Sequence, residues 1–290
     1  MPSELVRTDL HMHSLVSDGT DSPAELLEQV RRAGLHIFSL TDHDAFLGCV
    51  KVRSLLRPDD PRFLTGVEFS CMDELGKYHI LGYGYDPDSP AIGSVIQLGH
   101  SYRIEKLKER IEILREKFAI VFPEEEIRSL FSLNNPGKPH LANLMVRHGY
   151  VASKDLAFRK ILNHLHSPNK YIRPEDAIRG ILGAGGIPVL AHPCYGDGDQ
   201  LILGQDLEDR VRRLMGFGLQ GLEGHYSGFS TLLREQVLDL AERCGLYVTA
   251  GSDYHGGNKL IRLGDTGYTE DMPEPKGWTR FLEAAFPGGR

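Results

Sequence analysis

Short apolar runs alternate with amphipathic segments along most of the chain. The runs have the length of buried strands, and polar residues or glycines follow them. We predict seven strands, at 6–14, 36–40, 62–67, 77–84, 187–191, 219–223 and 246–250. The segments between them predict helices. One begins at Ser22, where Pro23 and Glu25 complete a capping box. Strand and helix in regular alternation indicate a parallel β/α architecture, which we expect to close as a barrel.

The pattern changes between residues 99 and 169. Apolar residues in 100–118 recur three or four positions apart with charges between them, as in a long amphipathic helix. Further helices are predicted from Pro123, over 139–146 and over 155–165, and the block contains no convincing strand. We therefore predict an inserted helical cap over 99–169, with the catalytic barrel formed by 1–98 and 170–290.

The composition adds limits on partners and location. The net charge is −7, so a broad basic surface for long nucleic acids is not expected. No apolar run is long enough to cross a membrane, and the first residues do not resemble a signal peptide. We expect a cytoplasmic protein whose four separated cysteines are reduced.

The first strand carries a pattern typical of metal ligands. Alternation of side chains places Asp9, His11 and His13 on one face, and Leu10 and Met12 on the other. Two imidazoles and a carboxylate are then within reach of one ion. Such a pair is weak support by itself, since most His-x-His pairs bind no metal.

Further polar side chains lie at or just beyond the other strands. The nine candidate ligands are His11, His13, Asp18, His43, Glu68, His79, His192, Asp253 and His255. Because strand ends meet at one rim of a β/α barrel, we predict a shared metal centre. Nine ligands exceed the four or so of one zinc ion and suit two or three ions. Imidazole and carboxylate donors without thiolate favour Zn, Mn or Fe.

Six segments, DLHMHSLVSDG, TDHD, GVEFS, YHILGY, AHP and GSDYH, resemble the successive motifs of PHP-domain phosphoesterases. The resemblance includes the helical insert seen in the stand-alone branch, which is similar to nucleoside 3′,5′-bisphosphate phosphatases, AMP phosphatases and cyclic-phosphate dihydrolases. The resemblance implies a distorted (β/α)7 barrel with a trinuclear centre. One metal would bind His11, His13, Glu68 and Asp253; a second Glu68, His79 and His192; a third Asp18, His43 and His255. Asp9 would orient a ligand imidazole.

We expect hydrolysis of a small phosphorylated metabolite: a nucleotide mono- or bisphosphate, a phosphosugar or a cyclic diester. A hydroxide bridging two metals would attack phosphorus while the third holds a phosphoryl oxygen. Asp44 and His225 are the candidates that protonate the leaving group. The candidates that hold substrate phosphate are Lys138, His140, Arg173 and Lys259. Similar proteins often have Arg where Lys138 stands, and Lys offers a point charge instead of a bidentate fork.

Three other functions stay open at this point. A 5′→3′ exonuclease could act on short RNA or DNA, although no basic track is present. A metal-dependent amidohydrolase would usually have a bridging lysine on a central strand, and Lys77 only begins one. A non-catalytic PHP binding module would be expected to lack ligands, and all nine are present here.

Overall fold

The computed structural model describes residues 4–165, 170–196 and 200–288. Its seven strands form one sheet in the order β1 to β7. The strands are β1 Thr8–Asp9, β2 Ile37–Leu40, β3 Arg62–Asp73, β4 Gly76–Tyr83, β5 Ile187–Leu190, β6 Gly221–Tyr226 and β7 Tyr247–Gly251. The helices are α1 Pro23–Ala33, α2 Leu47–Leu55, α3 Pro90–Phe118, α4 Glu124–Phe131, α5 Lys138–Arg147, α6 Lys154–Lys160, α7 Pro174–Gly183, α8 Gly204–Phe217, α9 Thr231–Arg243 and α10 Lys276–Ala285.

The sheet closes where the chain that follows β1 meets the end of β7. The backbone N–H of Leu10 donates to the carbonyl of Ala250 at 2.9 Å. Further along, Met12 and Tyr254 form a parallel bridge. The predicted seven-stranded α/β barrel is thereby confirmed. Strand β1 itself is shorter than predicted, because a 3-10 turn over Glu4–Arg7 precedes it and His11 and His13 follow it.

The prediction of a wholly parallel sheet was wrong at β4, which is antiparallel to both β3 and β5. Strand β3 continues to Asp73, and only Glu74 and Leu75 separate it from β4. A parallel connection needs a crossover of about a dozen residues or more, so this short link forces a hairpin. The beginning of β4, which carries His79, therefore lies at the rim where its neighbours end.

The lower end of the barrel is filled by apolar side chains and covered by α10. Trp278 and Phe281 of this helix are fully buried against Tyr83 and Val189. The opposite end is left for the polar residues that follow the strands, which is where β/α barrels place their chemistry.

Helix α3 links the barrel to the other helices of the predicted cap. It begins at Pro90, earlier than predicted, because Ser89 caps it. Its first turns contribute Ile92 and Val95 to the barrel core, whereas Leu107 and Leu114 join a separate apolar cluster with α4 to α6. The boundary predicted at 98/99 falls within this one helix. The division into barrel and cap stays a prediction.

Among the described residues, no helix has the length and apolar character needed to cross a bilayer. All four cysteines are free thiols, as predicted. Three are buried and Cys244 is partly buried.

Candidate metal centre

The nine candidate ligands converge at the upper rim of the barrel. They follow β1, β2, β5 and β7, or lie on β3 and β4. Close backbone approach makes this possible, since a Cβ atom at Gly251 would lie 2.2 Å from the Cβ of His11. His192 and Asp253 adopt φ angles of 28° and 57°, which side-chain-bearing residues seldom do. Such local strain is commonly found at functional sites.

Glu68 lies at the centre of the cluster, and five imidazoles surround its buried carboxylate. Its Oε2 atom lies 3.3, 3.1 and 3.1 Å from ring nitrogens of His11, His13 and His43. Its Oε1 atom lies 2.9 Å from His79 Nδ1 and 3.3 Å from His192 Nε2. One carboxylate therefore faces two sets of imidazoles with its two oxygens.

Asp253 presents one oxygen to the cluster. Its Oδ1 atom lies 3.4 Å from His13 Nε2 and 3.3 Å from His255 Nδ1. Its Oδ2 atom accepts hydrogen bonds from the hydroxyl of Tyr226 at 3.0 Å and the ammonium of Lys259 at 2.5 Å. These two donors fix the carboxylate with Oδ1 directed at the imidazoles.

The donor atoms form three overlapping groups. Within each group, all donor atoms lie within 4.8 Å of one another. They are His13, Asp18, His43 and His255; His11, His13 and Asp253; and His43, Glu68 and His79. His13 and His43 thus each belong to two groups, whereas the resemblance gave each to one metal.

The donor atoms also have the hydrogen-bonding state expected of metal ligands. His11 Nε2, His13 Nε2, His43 Nδ1 and Asp18 Oδ1 are buried and have no hydrogen-bond partner among the described residues. Buried polar atoms are rarely left without partners. Imidazole and carboxylate donors suit divalent ions, so the residues present fit such ions.

The carboxylates and imidazoles of the cluster stabilise each other's charged forms. Burial acts to raise the pKa of Glu68, but the imidazoles of His79, His43 and His11 hold it well below its usual value. Burial alone would lower the pKa of His13, but the nearby carboxylates of Asp253 and Glu68 raise it to about 9. The proton on His13 must therefore leave before the ring can bind an ion.

Glu223, within β6 and just before its bulge, is a functional residue that the sequence reasoning missed. It is fully buried. Its Oε1 atom accepts a hydrogen bond from His11 Nδ1 at 2.8 Å, and its Oε2 atom accepts one from the backbone N–H of His192 at 2.7 Å. It therefore fixes the orientation of one imidazole and the backbone of another ligand. The available signal was a carboxylate at the end of the predicted strand 219–223, since the candidate ligands also lie at or beyond predicted strands.

A cavity of about 300 Å³ opens beside the cluster, between the barrel rim and the helices that follow β4. Asp18, His43 and His79 form its inner wall. Its other walls carry five cationic side chains: Lys77, Arg103, Lys106, Arg110 and Lys138. Of these, only Lys138 was predicted to contact substrate. Arg103, Lys106 and Arg110 share one face of α3, three and four positions apart.

The model of the PHP domain family matches residues 9–172, more than half of the 290-residue chain. The chain belongs to the PHP domain family. Three relatives match it over almost their whole length and have different named activities. It is 29% identical to the 3′,5′-nucleoside bisphosphate phosphatase of Chromobacterium violaceum, with 93% of each chain covered. It is 28% identical to the phosphoribosyl 1,2-cyclic phosphate 1,2-diphosphodiesterase of Eggerthella lenta, covering 90% of this chain and 97% of the relative. It is also 28% identical to a 5′-3′ exoribonuclease of Haemophilus influenzae, covering 94% of this chain and 98% of the relative.

Solved structures agree with this family assignment. One from C. violaceum, described as an amidohydrolase with bound sulfate and no metal, superposes with a TM-score of 0.80 at 29% identity. A candidate metal-dependent phosphoesterase from Bifidobacterium adolescentis has the same TM-score at 27% identity. Each match covers 96% of both chains. The PHP protein is a metal-dependent phosphoesterase, as the resemblance implied.

Asp9 supports the backbone of the PHP protein's site, where an interaction with an imidazole was expected. Its carboxylate accepts hydrogen bonds from the N–H groups of His11, Ser252 and Gly264 and from the Ser252 hydroxyl. The role predicted for Asp9 belongs instead to Glu223. Asp9 joins the segment after β1 to the segment after β7.

The two candidate proton donors are both placed differently from the prediction. Asp44 accepts hydrogen bonds from Arg103 Nε at 2.6 Å and from the backbone N–H of Ser70 at 2.9 Å, so both carboxylate oxygens are occupied. His225 packs against the ring of Tyr268, 4.9 Å between centroids, on the far side of β6. A β-bulge between Glu223 and His225 turns Tyr226 towards the ligands in its place. Tyr226, and not His225, therefore contacts the candidate ligand Asp253.

The four predicted phosphate contacts also differ in position. Lys138 lines the cavity, and Lys259 contacts the ligand Asp253. His140 Nδ1 accepts the N–H of Gly137 at 3.2 Å and so caps α5. Arg173 does not line the cavity, and its exposed side chain pairs with Glu74 at 3.6 Å.

Replacing Glu223 by glutamine should weaken metal binding by about 10- to 100-fold, the usual cost of losing a carboxylate that supports a ligand imidazole. The amide keeps the shape of the side chain but removes its charge from His11. Competition with a chromophoric chelator measures the affinity. The exposed Glu235→Gln change on α9 is the matched control, and equal affinities for the two variants would contradict this role.

Replacing His225 by leucine should make the metal-free protein more resistant to acid. Burial, helped by the charge of Arg234, lowers the pKa of His225 to about 4. The unfolded chain takes up this proton near pH 6.5, so His225 lowers the free energy of unfolding as the pH falls from about 6.5 to 4, by about 3 kcal/mol. Urea unfolding at several pH values in the presence of a chelator measures this. The variant should lose part of the pH dependence that wild type and the exposed His36→Gln control retain. Identical pH dependence in all three proteins would refute the account.

Proposed function

We propose that this PHP protein hydrolyses a phosphate monoester in a small metabolite that carries a second phosphate, such as a nucleoside bisphosphate. The observation that carries the proposal is the cationic cavity beside the metal ligands. Its inner wall is formed by His43, His79 and Asp18, and its other walls by cations. A scissile phosphate at the centre would leave a second phosphate of the same molecule within this cavity.

Arg103 is suited to hold that second phosphate. Its Nε donates to Asp44 at 2.6 Å and its Nη2 to Ser70 Oγ at 2.8 Å, which orients the guanidinium. Its Nη1 lies near Gly137, the residue before Lys138. A guanidinium binds phosphate with a planar fork, and a neighbouring ammonium adds charge. Arg103 thus supplies the fork that Lys138 cannot provide.

The centre would take two or three ions of Mn, Zn or Fe, held by the nine ligands. When bound, such ions lower the pKa of coordinated water and neutralise phosphoryl oxygens. Glu68 faces both sides of the cluster and holds the ligand sets together. Glu223 orients His11, and Tyr226 with Lys259 fixes Asp253.

The relatives support this choice without deciding it. The bisphosphate phosphatase of C. violaceum acts on the substrate class proposed here, whereas the E. lenta and H. influenzae relatives are named for a cyclic diester and for RNA. The acidic net charge of −7 favours a small substrate over a long polymer. A cytoplasmic location stays a prediction from the sequence.

Chromatographic measurement of the hydrolysis products that the metal-loaded protein forms from each compound of a substrate panel tests the proposal. The panel contains adenosine 3′,5′-bisphosphate, AMP, a cyclic phosphosugar, a 5′-phosphorylated pentanucleotide and an acyl amide. We expect the bisphosphate to have the highest kcat/KM, exceeding that of AMP by about tenfold or more, since charged hydrogen bonds hold its second phosphate. Preference for the cyclic ester, the pentanucleotide or the amide would overturn it.

A further inference from the structure

The distal part of the cavity contains two buried cations without matching anions. Lys106 and Arg110 are only 6% and 8% exposed. Neither side chain has a hydrogen bond or ion pair with any residue that the structure describes, and Arg110 Nε is among the buried atoms without a partner. Buried charges are normally paired, because leaving them unpaired is costly.

The groups around these cations do not supply the missing charge. Lys106 Nζ lies 3.7 Å from the centroid of the Tyr171 ring, and Lys77 Nζ lies 5.6 Å from the same ring. The charged groups with the largest effects on Lys106 are Arg103, Asp44, Arg110 and Lys77. Of these only Asp44 is acidic, and it is already paired with Arg103.

Arg110 has a similar environment. Tyr171, Arg103 and Glu109 are the groups that act on it. Glu109 is its neighbour in the chain, and the Oε2 atom of Glu109 has no hydrogen-bond partner among the described residues. Among the residues that the structure describes, Lys106 and Arg110 together therefore face one unpaired carboxylate, that of Glu109, and the remaining positive charge would attract an anion.

The spacing along α3 connects this region with Arg103. Residues three and seven positions apart lie on one helix face, about 4.5 and 10.5 Å along its axis. A phosphate held at Arg103 would therefore have Lys106 within reach of a phosphoryl group bonded directly to it, with Arg110 beyond.

We propose that Lys106, Arg110 and Tyr171 form a subsite for a further phosphoryl group, so that the preferred substrate carries a diphosphate where a bisphosphate carries its second phosphate. This rests on the proposed function, because it assumes a scissile phosphate at the metal centre. The substrate class is a small nucleotide or sugar with one phosphomonoester and a separate diphosphate.

Binding should also be coupled to proton uptake. Burial, with the charge of Arg103, lowers the pKa of the Lys106 ammonium to about 7. An added anion favours the charged form, so the protein should take up a proton near pH 7 when a diphosphate binds. Calorimetry in two buffers of different ionisation enthalpy measures this uptake, which the Lys106→Met variant should lose.

The decisive comparison uses adenosine 3′-phosphate 5′-diphosphate and adenosine 3′,5′-bisphosphate with the metal-loaded protein. We expect the diphosphate to have a KM lower by about tenfold in wild type, because it gains charge-assisted hydrogen bonds. The Lys106→Met and Arg110→Met variants should reduce this ratio to about threefold or less, each losing one cation. The exposed Lys108→Met change on the same helix removes the same charge and should leave the ratio as in wild type.

A ratio of the two KM values near one in the wild-type protein would contradict the proposed subsite. So would a tenfold ratio that both variants retain. Tighter binding of a 5′-phosphorylated dinucleotide than of the diphosphate would overturn it in favour of an oligonucleotide. If neither nucleotide is hydrolysed, the proposed function fails. The ratio of dissociation constants from calorimetry then still decides whether the subsite exists.

Discussion

Changing Glu68 to glutamine should lower kcat/KM by about 1,000-fold or more and remove metal from the site. Removal of one well-placed electrostatic group from an active site costs about 100- to 1,000-fold, and Glu68 faces five imidazoles, more than any other residue of the cluster. Glutamine has almost the same volume, so the loss would come from charge and donor chemistry.

Metal content by mass spectrometry and phosphate release should be measured on the same sample. Glu74→Gln is a suitable control, since Glu74 lies at the exposed turn between β3 and β4. A Glu68→Gln protein with normal metal content and turnover would exclude Glu68 as the shared ligand.

Changing Arg103 to methionine should lower both the free energy of unfolding and the preference for adenosine bisphosphate over AMP. Asp44 is 3% exposed and pairs with Arg103 at 2.6 Å. Removing one partner of a buried ion pair typically costs about 3–5 kcal/mol, because the other charge is left without compensation. Arg103 is partly exposed, so we expect about 3 kcal/mol, the lower end of that range.

Urea unfolding of the metal-free protein measures this loss of stability. The double variant Asp44→Asn, Arg103→Met should recover part of it, because it no longer contains the uncompensated Asp44 charge. In the double variant the preference for adenosine bisphosphate over AMP should still be reduced by about tenfold, since a charged hydrogen bond to phosphate is lost. Unchanged stability and preference would show that Arg103 neither supports Asp44 nor contacts the substrate.

The convergence of the nine candidate ligands could be predicted because their signal is local. Each of the nine lies at, or just beyond, a strand that the apolar pattern marks, and barrel topology brings these positions together. The antiparallel direction of β4 could also have been predicted from the sequence, since the nine residues between the predicted strands 62–67 and 77–84 contain no helical pattern. The length of that link decides the strand direction.

Other features depend on tertiary structure. Alternation along β6 puts Glu223 and His225 on one face, but the bulge between them turns Tyr226 to the site instead. Arg103, Lys106 and Arg110 look like the solvated face of an amphipathic helix. Periodicity identifies a polar face, but it does not show that the barrel rim covers this one to form a cavity.

The central claim is that the rim cluster is a metal centre that hydrolyses a phosphate ester. The most direct test is to titrate Mn²⁺ into chelator-treated protein and to measure bound metal and phosphate release from adenosine 3′,5′-bisphosphate in parallel. We predict no release without metal, and activity that rises with occupancy and saturates at two or three ions per chain. Turnover by the metal-free protein, or full occupancy without hydrolysis of any phosphate ester in the panel, would contradict the account.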